Sequence, residues 1–180
     1  LFYQQKKMGT VQLQVPGLHN IFNALSACAA AYALGLSIET IIEGLGGYYG
    51  THKRFEYKGN LKGITIIDDY AHHPTEIKAT LEAAKKYPHN TIWCVFQPHT
   101  YTRTKAFLKD FADALSASDK VILTDIYAAR EKPTGDISSL DLLRELKNLN
   151  AEAYHFDNFS DIENFLEKNC TNGDLLITMG

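Results

Sequence analysis

The sequence has few of the features that mark secreted, membrane-embedded or nucleic-acid-binding proteins. Its 180 residues include only three cysteines, Cys28, Cys94 and Cys170, which are far apart and odd in number. They provide no disulfide framework, so we expect a reducing, cytoplasmic environment. No apolar run approaches the ~18 residues of a membrane-spanning helix. The net charge of −3 argues against general binding to nucleic acids or membrane surfaces.

Two common nucleotide-binding motifs are also missing. Neither the phosphate loop GxxxxGK(S/T) nor the dinucleotide motif GxGxxG is present. If the protein binds a nucleotide such as ATP, we expect another part of a longer chain to bind its phosphates. LFYQQKKMG at the start lacks an initiator methionine and is not a signal peptide, and LLITMG at the end is a strand pattern that stops at a glycine. We interpret the sequence as a piece of a longer protein.

The remaining composition is typical of a soluble globular protein, and it changes once along the chain. Hydrophobic residues make up 45% and charged residues 22% of the sequence. The change occurs at GGYYG, residues 46–50. We therefore predict one domain over residues 1–50 and a second over residues 51–180.

The first part has the pattern of a strand followed by two helices. Thr10–Val15 alternates apolar and polar residues, as a half-buried strand does. His19–Leu34 is rich in alanine and other small residues and predicts a closely packed helix, with Gly35 as its C-cap. Ser37 is a suitable N-cap for a second helix, Ile38–Leu45.

The second part begins with a predicted hairpin and continues as alternating strands and helices. RFEYKGNLKGITIIDDY favours a strand, a turn at Gly59–Asn60 and a longer strand. The predicted strands are Ile64–Asp68, Thr91–Phe96, Lys120–Thr124, Ala153–Phe156 and Leu175–Thr178. The predicted helices are Pro74–Tyr87, Arg103–Leu115, Leu140–Leu149 and Asp161–Asn169.

The strand cores indicate the fold class because they are almost wholly apolar. Such strands are buried on both faces, as in a parallel sheet that helices cover. The sequence therefore predicts an α/β fold with a doubly wound, mostly parallel sheet and helices on both faces. A strand–helix remnant of another domain precedes it.

Polar segments follow three of the predicted strands. They are DDYAHHPTE (68–76), QPHTYTRT (97–104) and DIYAAREKPTGD (125–136). In open α/β sheets, ligands bind outside the carboxyl ends of the strands. We therefore expect an active site at this edge of the sheet.

The first of these segments combines structural and functional residue types. The start of a helix is suited by His73, Pro74, Thr75 and Glu76. An acid, a phenol and an imidazole gathered at one strand end, Asp69, Tyr70 and His72, resemble a site instead. Adjacent histidines seldom share one ion, so we predict no dedicated metal site here.

Three other positions have both an ordinary and a functional interpretation. Arg103 would lie at a helix start, where the helix dipole does not favour a cation, so it is a candidate partner for a carboxylate or phosphate. Lys53 and Arg54 form either a surface turn or a phosphate contact. Asn20 is either a helix cap or a carboxamide that binds a nucleobase edge.

Taken together, the motifs resemble those of the Mur ligase family of peptidoglycan synthesis. They are PGLHNIFNALSA, KRFE, DDYAHHPTEI, FQPHTYTRT, DIYAARE and ITMG, in this order along nearly the whole chain. The resemblance implies that residues 1 to about 50 end a central ATPase domain and that the rest is a C-terminal, Rossmann-like domain. FQPHTYTRT favours the alanine-adding member over the member that recycles a murein tripeptide.

The resemblance also implies a reaction. In the family, ATP with Mg²⁺ phosphorylates the carboxylate of UDP-N-acetylmuramate, and the amine of L-alanine attacks the acyl phosphate. Phosphorylation is needed because a carboxylate is a poor electrophile, and cations neutralise the developing charge. Both ATP and Mg²⁺ would be bound mainly by domains outside this chain.

The family's site residues can be carried over to matching positions. The nucleotide-binding positions are His19, Asn20, Asn23 and Arg54. The catalytic positions are Asp69, Tyr70 and His72, and the substrate-binding positions are His99 and Arg103. Arg103 is the candidate partner of the alanine carboxylate. The chain departs from the family pattern at Lys53, where arginine is expected, and at Arg130, where glycine is expected.

Two further interpretations stay open at this point. A metal-dependent phosphoesterase would use Asp68, Asp69, His72 and His73 to bind Mn²⁺, completed by His99 or Asp125. A non-catalytic nucleotide-binding module would show the same motifs without turnover.

Overall fold

The computed structural model describes residues 1–133 and 135–180 of the chain. These residues form two compact units, Leu1–Thr51 and His52–Gly180. Thr134, within the predicted edge segment 125–136, lies outside the described residues. The assignment of the first unit to an ATPase domain stays a prediction.

The first unit consists of a short hairpin and two helices. Its elements are strands β1 (Phe2–Tyr3) and β2 (Lys6–Lys7), which pair antiparallel, and helices α1 (Leu18–Ala33) and α2 (Ile38–Gly46). Ser37 caps α2 as predicted, since its hydroxyl accepts a hydrogen bond from Thr40 N. Gly35 (φ 87°) follows α1, and the next N–H, that of Leu36, returns to Ala31 O. This is the closed C-terminal turn for which glycine is favoured.

The predicted strand Thr10–Val15 is wrong. Its residues alternate between exposed and partly buried, as the pattern indicated, but they form no strand. A β-strand requires hydrogen bonds to a neighbour. Within residues 1–133 and 135–180, no strand pairs with this segment, and the two strands that precede the helices lie earlier, in β1 and β2.

The second unit begins with a β-hairpin whose turn differs from the predicted one. β3 (Glu56–Leu61) pairs antiparallel with β4 (Ile64–Asp69), and the pair Leu61–Ile64 encloses a two-residue turn at Lys62–Gly63. Both turn residues have positive φ, 52° and 84°, as a two-residue hairpin loop of type I′ requires. Gly59–Asn60, the predicted turn, lies inside β3 next to a register shift. There the glycine accommodates a bulge rather than a turn.

The remaining elements alternate and build one six-stranded sheet. In chain order they are α3 (Pro74–Ala84), β5 (Ile92–Phe96), α4 (Tyr101–Ala106), α5 (Leu108–Leu115), β6 (Lys120–Leu123), α6 (Ser139–Asn148), β7 (Glu152–His155), α7 (Phe159–Asn169) and β8 (Leu175–Met179). The strand order is β3-β4-β8-β5-β6-β7, and every pair except β3–β4 is parallel. The predicted doubly wound, mostly parallel α/β fold is confirmed.

Two predicted helices differ from the observed helices by more than one or two terminal residues. α3 ends at Ala84, not at Tyr87. The predicted helix Arg103–Leu115 is two helices, α4 and α5, separated at Phe107, which leaves the helical region (φ −115°, ψ 24°). The Phe107 ring packs edge-on against His73, with 4.9 Å between the ring centroids. A tertiary contact therefore accompanies a break that no proline or glycine marks in the sequence.

The hydrophobic core lies on both faces of the sheet, as the apolar strands predicted. Cys94 and Phe96 of β5 pack in the larger cluster, with residues of α3, α5 and α6. Trp93 and Val95, on the other face, pack with Ile162 of α7. All five residues of β5 are buried, which makes it a central strand. None of the described helices is long and apolar enough to cross a membrane.

Candidate active site at the carboxyl edge of the sheet

Three segments meet at the carboxyl ends of β4, β5 and β6. Because β8 lies between β4 and β5, and β6 follows β5, these parallel strands end at the same edge. His99 and Tyr127 form an isolated parallel bridge there, which continues the pairing of β5 and β6 past their ends. The structure therefore brings together the polar segments after these strands, as predicted.

Four rings form a row across this edge. Tyr70 and His72 follow β4, His99 follows β5 and Tyr127 follows β6. Their ring centroids are 5.1 Å apart for Tyr70–His72, 6.2 Å for His72–His99 and 5.4 Å for His99–Tyr127. The predicted residues Tyr70, His72 and His99 are thus neighbours. Tyr127 completes the row, although our sequence reasoning did not single it out.

The ring of His72 is fixed by its own segment. Nδ1 of His72 lies 2.8 Å from the carbonyl oxygen of Tyr70. A carbonyl only accepts hydrogen bonds, so in this contact Nδ1 carries the proton and Nε2 of a neutral ring presents its lone pair. The N–H of His72 donates to Glu76 (3.2 Å), which also lies 3.6 Å from Nη1 of Arg54.

Glu76 therefore links the segment after β4 to the basic turn before β3. Burial alone would raise its pKa, but the N–H of His72 and the positive charge of Arg54, joined by that of the His72 ring when it is protonated, bring the pKa below its ordinary value. The carboxylate stays ionised at neutral pH and binds both neighbours. The sequence suggested only a helix start for Glu76.

His99 and Arg103 carry buried polar atoms without a hydrogen-bond partner in the part of the chain that the structure describes. Among the described residues, Nδ1 of His99 and Nη1 of Arg103 are buried and make no hydrogen bond. Burial lowers the pKa of His99, and the nearby charges of Arg103 and His72 lower it further, while Glu131 opposes them. The imidazole is therefore neutral at neutral pH, beside a cationic guanidinium. Buried donors and acceptors are normally satisfied, so the pair is suited to an anionic ligand.

Arg103 lies in the first turn of α4, as predicted. Thr100 precedes this helix with a left-handed backbone (φ 69°), and its hydroxyl accepts a hydrogen bond from Arg103 N. The carboxylate of Glu131 accepts hydrogen bonds from both the N–H and the hydroxyl of Thr102. These two hydrogen bonds hold the pKa of Glu131 below its ordinary value.

The carboxylate of Asp69 accepts hydrogen bonds from the backbone. It is 6% exposed, and its two carboxylate oxygens each lie 2.7 Å from a backbone nitrogen that donates to them, those of Phe55 and Ala71. Burial raises its pKa, although these hydrogen bonds oppose the rise. This geometry makes Asp69 a link between the turn at residues 53–55 and the end of β4.

The predicted nucleotide-binding residues are divided between the two units. His19, Asn20 and Asn23 lie in the first unit, at the start of α1. The carboxamide of Asn20 donates to Pro16 O (2.6 Å) and accepts from Asn23 (3.4 Å). The helix-cap interpretation is wrong, because the N-cap of α1 is Gly17, which has no side-chain cap hydrogen bond, and Asn20 lies within the first turn of the helix. Arg54, in the second unit, has a side chain that is 54% exposed.

The two departures from the family pattern have distinct backbones. Lys53 has a left-handed conformation (φ 57°), and its ammonium lies 5.4 Å from the ring centroid of Tyr70, so it still contributes a cation beside the site. Arg130 is not among the left-handed residues, although its neighbour Ala129 is (φ 53°). The backbone at 130 therefore does not require glycine.

The four residues of the phosphoesterase interpretation have other partners. Asp68 accepts from the Thr178 hydroxyl (2.7 Å), Asp69 binds backbone N–H groups, and His73 caps α3 by accepting from Thr75 N (3.3 Å). In the part of the chain that the structure describes, the one close group of three possible metal ligands lies elsewhere, at the ends of β6 and β7: Asp125, His155 and Asp157. The geometry does not support a metal centre at residues 68–73.

The mostly parallel sheet, with this row of tyrosine and histidine rings at its carboxyl edge, has the fold of a Rossmann-like ligase domain. Residues 53–180 match the family described as "Mur ligase, glutamate ligase domain". The chain therefore belongs to the Mur ligase family, and the resemblance found in its motifs is confirmed.

The similar proteins define a narrower group within that family. UDP-N-acetylmuramate–L-alanine ligase from Lachnospira eligens is 57% identical over 180 residues, which is 100% of this chain and 39% of that protein. The protein of the same name from Lachnoclostridium phytofermentans is 56% identical over the whole chain and 38% of its own length. The chain thus spans less than half the length of the curated relatives that it matches.

Two solved structures, of ligases with different names, are also similar to this chain. UDP-N-acetylmuramate–alanine ligase from Thermotoga maritima superposes with a TM-score of 0.79 at 30% identity, over 97% of this chain and 37% of that chain. A murein peptide ligase from Psychrobacter arcticus superposes with a TM-score of 0.69 at 28% identity, over 94% of this chain and 35% of that chain.

Proposed function

We propose that this chain is the C-terminal part of a cytoplasmic, ATP-dependent ligase that joins L-alanine to UDP-N-acetylmuramate in peptidoglycan synthesis. Relatives that are more than 50% identical to this chain are named as ligases of this substrate pair, and their names support the proposal. The observation that carries the proposal is the pair of buried, unpartnered atoms, Nδ1 of His99 and Nη1 of Arg103. An amino-acid substrate supplies a carboxylate that suits them.

In this proposal, the carboxylate of L-alanine binds Arg103. A guanidinium presents its N–H groups in a planar fork that matches a carboxylate, and burial strengthens the interaction. The amine must lose a proton before it attacks, and a neutral imidazole can accept one. His72 and His99 are both candidates, since His72 presents a free Nε2 and the pKa of His99 is lowered.

The other predicted residues support this arrangement. Tyr70 lies edge-on to His72 and can limit the space for the alanine side chain. Asp69 would act through the backbone, by holding residues 53–55 next to the end of β4. In the complete protein, His19, Asn20 and Asn23 would contact the adenine of ATP, and Arg54 its phosphates.

ATP supplies the phosphoryl group that turns the carboxylate of UDP-N-acetylmuramate into an electrophile. Among the described residues, the carboxylates of Asp68, Asp69, Glu76 and Glu131 already bind other groups: the Thr178 hydroxyl, backbone N–H groups, Arg54 and Thr102, in that order. We therefore assign Mg²⁺ and the phosphate loop to the part of the ligase that this chain does not cover. The 180-residue chain alone is expected to be inactive.

The test is Arg103→Ala in the complete ligase that carries this sequence. Loss of a charged hydrogen bond costs about 1.5–3 kcal/mol, so the KM for L-alanine should rise roughly 10- to 100-fold. The KM for ATP should change little. Arg144→Ala is the matched control, because Arg144 is a 71% exposed arginine on α6 that pairs with Asp141. An unchanged KM for L-alanine in Arg103→Ala would remove Arg103 from this role.

A further inference from the structure

The first turn of α4 is held in place by residues outside the helix. α4 has only six residues, too few to be stable alone in water. Thr100 precedes it in a strained left-handed conformation and donates its N–H to Tyr127 O (2.9 Å). The N–H of Thr102 donates to Glu131 (3.0 Å), and so does its hydroxyl. The orientation of Arg103 therefore depends on contacts from the segment after β6.

That segment is itself anchored to the ends of two other strands, β5 and β7. Tyr127 N donates to Pro98 O (2.8 Å), and the side chain of Gln97 donates to Asp125 O (3.1 Å), which joins it to the end of β5. Asp125 also lies 3.0 Å from Nε2 of His155, whose side chain is only 9% exposed at the end of β7. Glu131 closes a turn by donating its N–H to Ala128 O (2.9 Å). Glu131 is therefore presented from a well-supported loop.

Glu131 does not pair with Arg103. Among the described ion pairs, none joins these two residues, and Nη1 of Arg103 stays without a partner. The carboxylate of Glu131 instead accepts hydrogen bonds from the N–H and the hydroxyl of Thr102, the residue before Arg103. It is an anion at the N-terminal turn of α4, where a negative charge is favoured. Its position fixes the helix and leaves the guanidinium available to a ligand.

We propose that Glu131 is a positioning residue for amino-acid binding. It clamps Thr102 and thereby sets the direction in which Arg103 leaves the first turn of α4. This inference rests on the proposed function, because it assigns the clamped arginine to the carboxylate of the amino-acid substrate.

The test compares Glu131→Ala, Thr102→Val and Thr102→Ser in the complete ligase. Misplacement of a binding group by about 1 Å can cost up to roughly 100-fold, so Glu131→Ala should raise the KM for L-alanine roughly 10- to 100-fold. The KM values for ATP and UDP-N-acetylmuramate should change much less. Thr102→Val, which loses the hydroxyl donor, should show a smaller rise in the KM for L-alanine. Thr102→Ser keeps the hydroxyl donor and should have the KM of the parent protein. Glu145→Gln on α6 serves as the control.

The outcomes separate this inference from the function on which it rests. If the unaltered protein ligates L-alanine and Glu131→Ala leaves its KM for L-alanine unchanged, the clamp has no positioning role. Equal rises in all three KM values would indicate general damage and would also overturn the inference. If the unaltered protein fails to ligate L-alanine, the proposed function fails first.

The clamp can also be tested independently of activity. In this 180-residue chain, Glu131 raises the pKa of His99 and Arg103 lowers it. Glu131→Ala removes the first charge and lets the second move, so the pKa of His99 in an NMR titration should differ from that in the parent. An unchanged titration in a folded variant would show that Glu131 does not act on this part of the site.

Discussion

At the scale of single residues, the charge on His99 is set by its neighbours. Burial and the guanidinium of Arg103 both disfavour the imidazolium. A lowered pKa means that the ring stays neutral to a lower pH than an ordinary histidine. The neutral state suits the proposed role of His99, which is to accept a proton beside the predicted site for the substrate carboxylate.

This dependence gives a direct prediction for the chain itself. Arg103→Gln removes the nearby positive charge, so the pKa of His99 should rise towards its ordinary value. The measurement is a pH titration of the histidine ring signals by NMR, with His99→Gln used to assign the signal. Arg144→Gln, on the exposed face of α6, should leave the titration unchanged. A pKa of His99 that stays the same or falls in Arg103→Gln would contradict this electrostatic account.

The same scale shows what sequence can and cannot predict about a site. The acid, phenol and imidazoles at the strand ends could be located because buried strands and polar segments alternate so regularly. The roles of Asp69 and Glu131 could not be inferred, because each depends on backbone donors that are distant in sequence: Phe55 for Asp69 and Thr102 for Glu131. Residue type alone does not indicate whether a carboxylate faces a ligand or a backbone N–H.

At the scale of elements, local rules predicted the interiors of strands and helices better than their connections. The core strands and the capped helix α2 follow apolar periodicity and capping residues. The split between α4 and α5 does not, since it occurs at Phe107, an ordinary residue for a helix interior. Packing against His73 and the clamp at Thr102 accompany this break, and both contacts come from other parts of the chain.

The β3–β4 hairpin gives a second prediction. Lys62 holds a left-handed conformation, which costs a residue with a side chain about 1–2 kcal/mol, whereas asparagine tolerates it well. Lys62→Asn should therefore stabilise the second unit by roughly 0.5–1 kcal/mol. Gly63→Ala should destabilise it by about 1 kcal/mol or more, because φ is 84° and a Cβ would collide with the Asn172 side chain.

Urea unfolding followed by tryptophan fluorescence measures both changes. Trp93 is the only tryptophan in the sequence and is buried in β5, so its emission reports on the second unit. Lys132→Asn is the control, since Lys132 is exposed and lies outside the left-handed region. A neutral or destabilising Lys62→Asn would show that the turn strain has been misjudged.

At the scale of the whole molecule, the sheet order decides which segments share the site. β8 is last in the chain but lies between β4 and β5, so Gly180 comes to the same edge as Asp68 and Gln97. Gly180 has φ 124°, and a Cβ there would collide with the carbonyl oxygen of Gln97. The alternation of strands and helices predicted a parallel sheet but not this order, which depends on long-range packing.

We propose that this chain completes a ligase whose amine substrate is L-alanine. The main competitor is the ligation of a murein tripeptide, since a murein peptide ligase shares the fold at 28% identity. The two differ in the amine that they accept, not in their use of ATP. A choice between amine substrates therefore tests the claim more directly than binding of a nucleotide does.

The decisive measurement supplies the complete protein with ATP, UDP-N-acetylmuramate and either L-alanine or L-alanyl-γ-D-glutamyl-diaminopimelate, and identifies the product by mass spectrometry. We predict that UDP-N-acetylmuramoyl-L-alanine forms with a kcat/KM far above that for the tripeptide. ADP release should require both the nucleotide sugar and the amine. Preferential ligation of the tripeptide, or no ligation of either amine, would contradict the account.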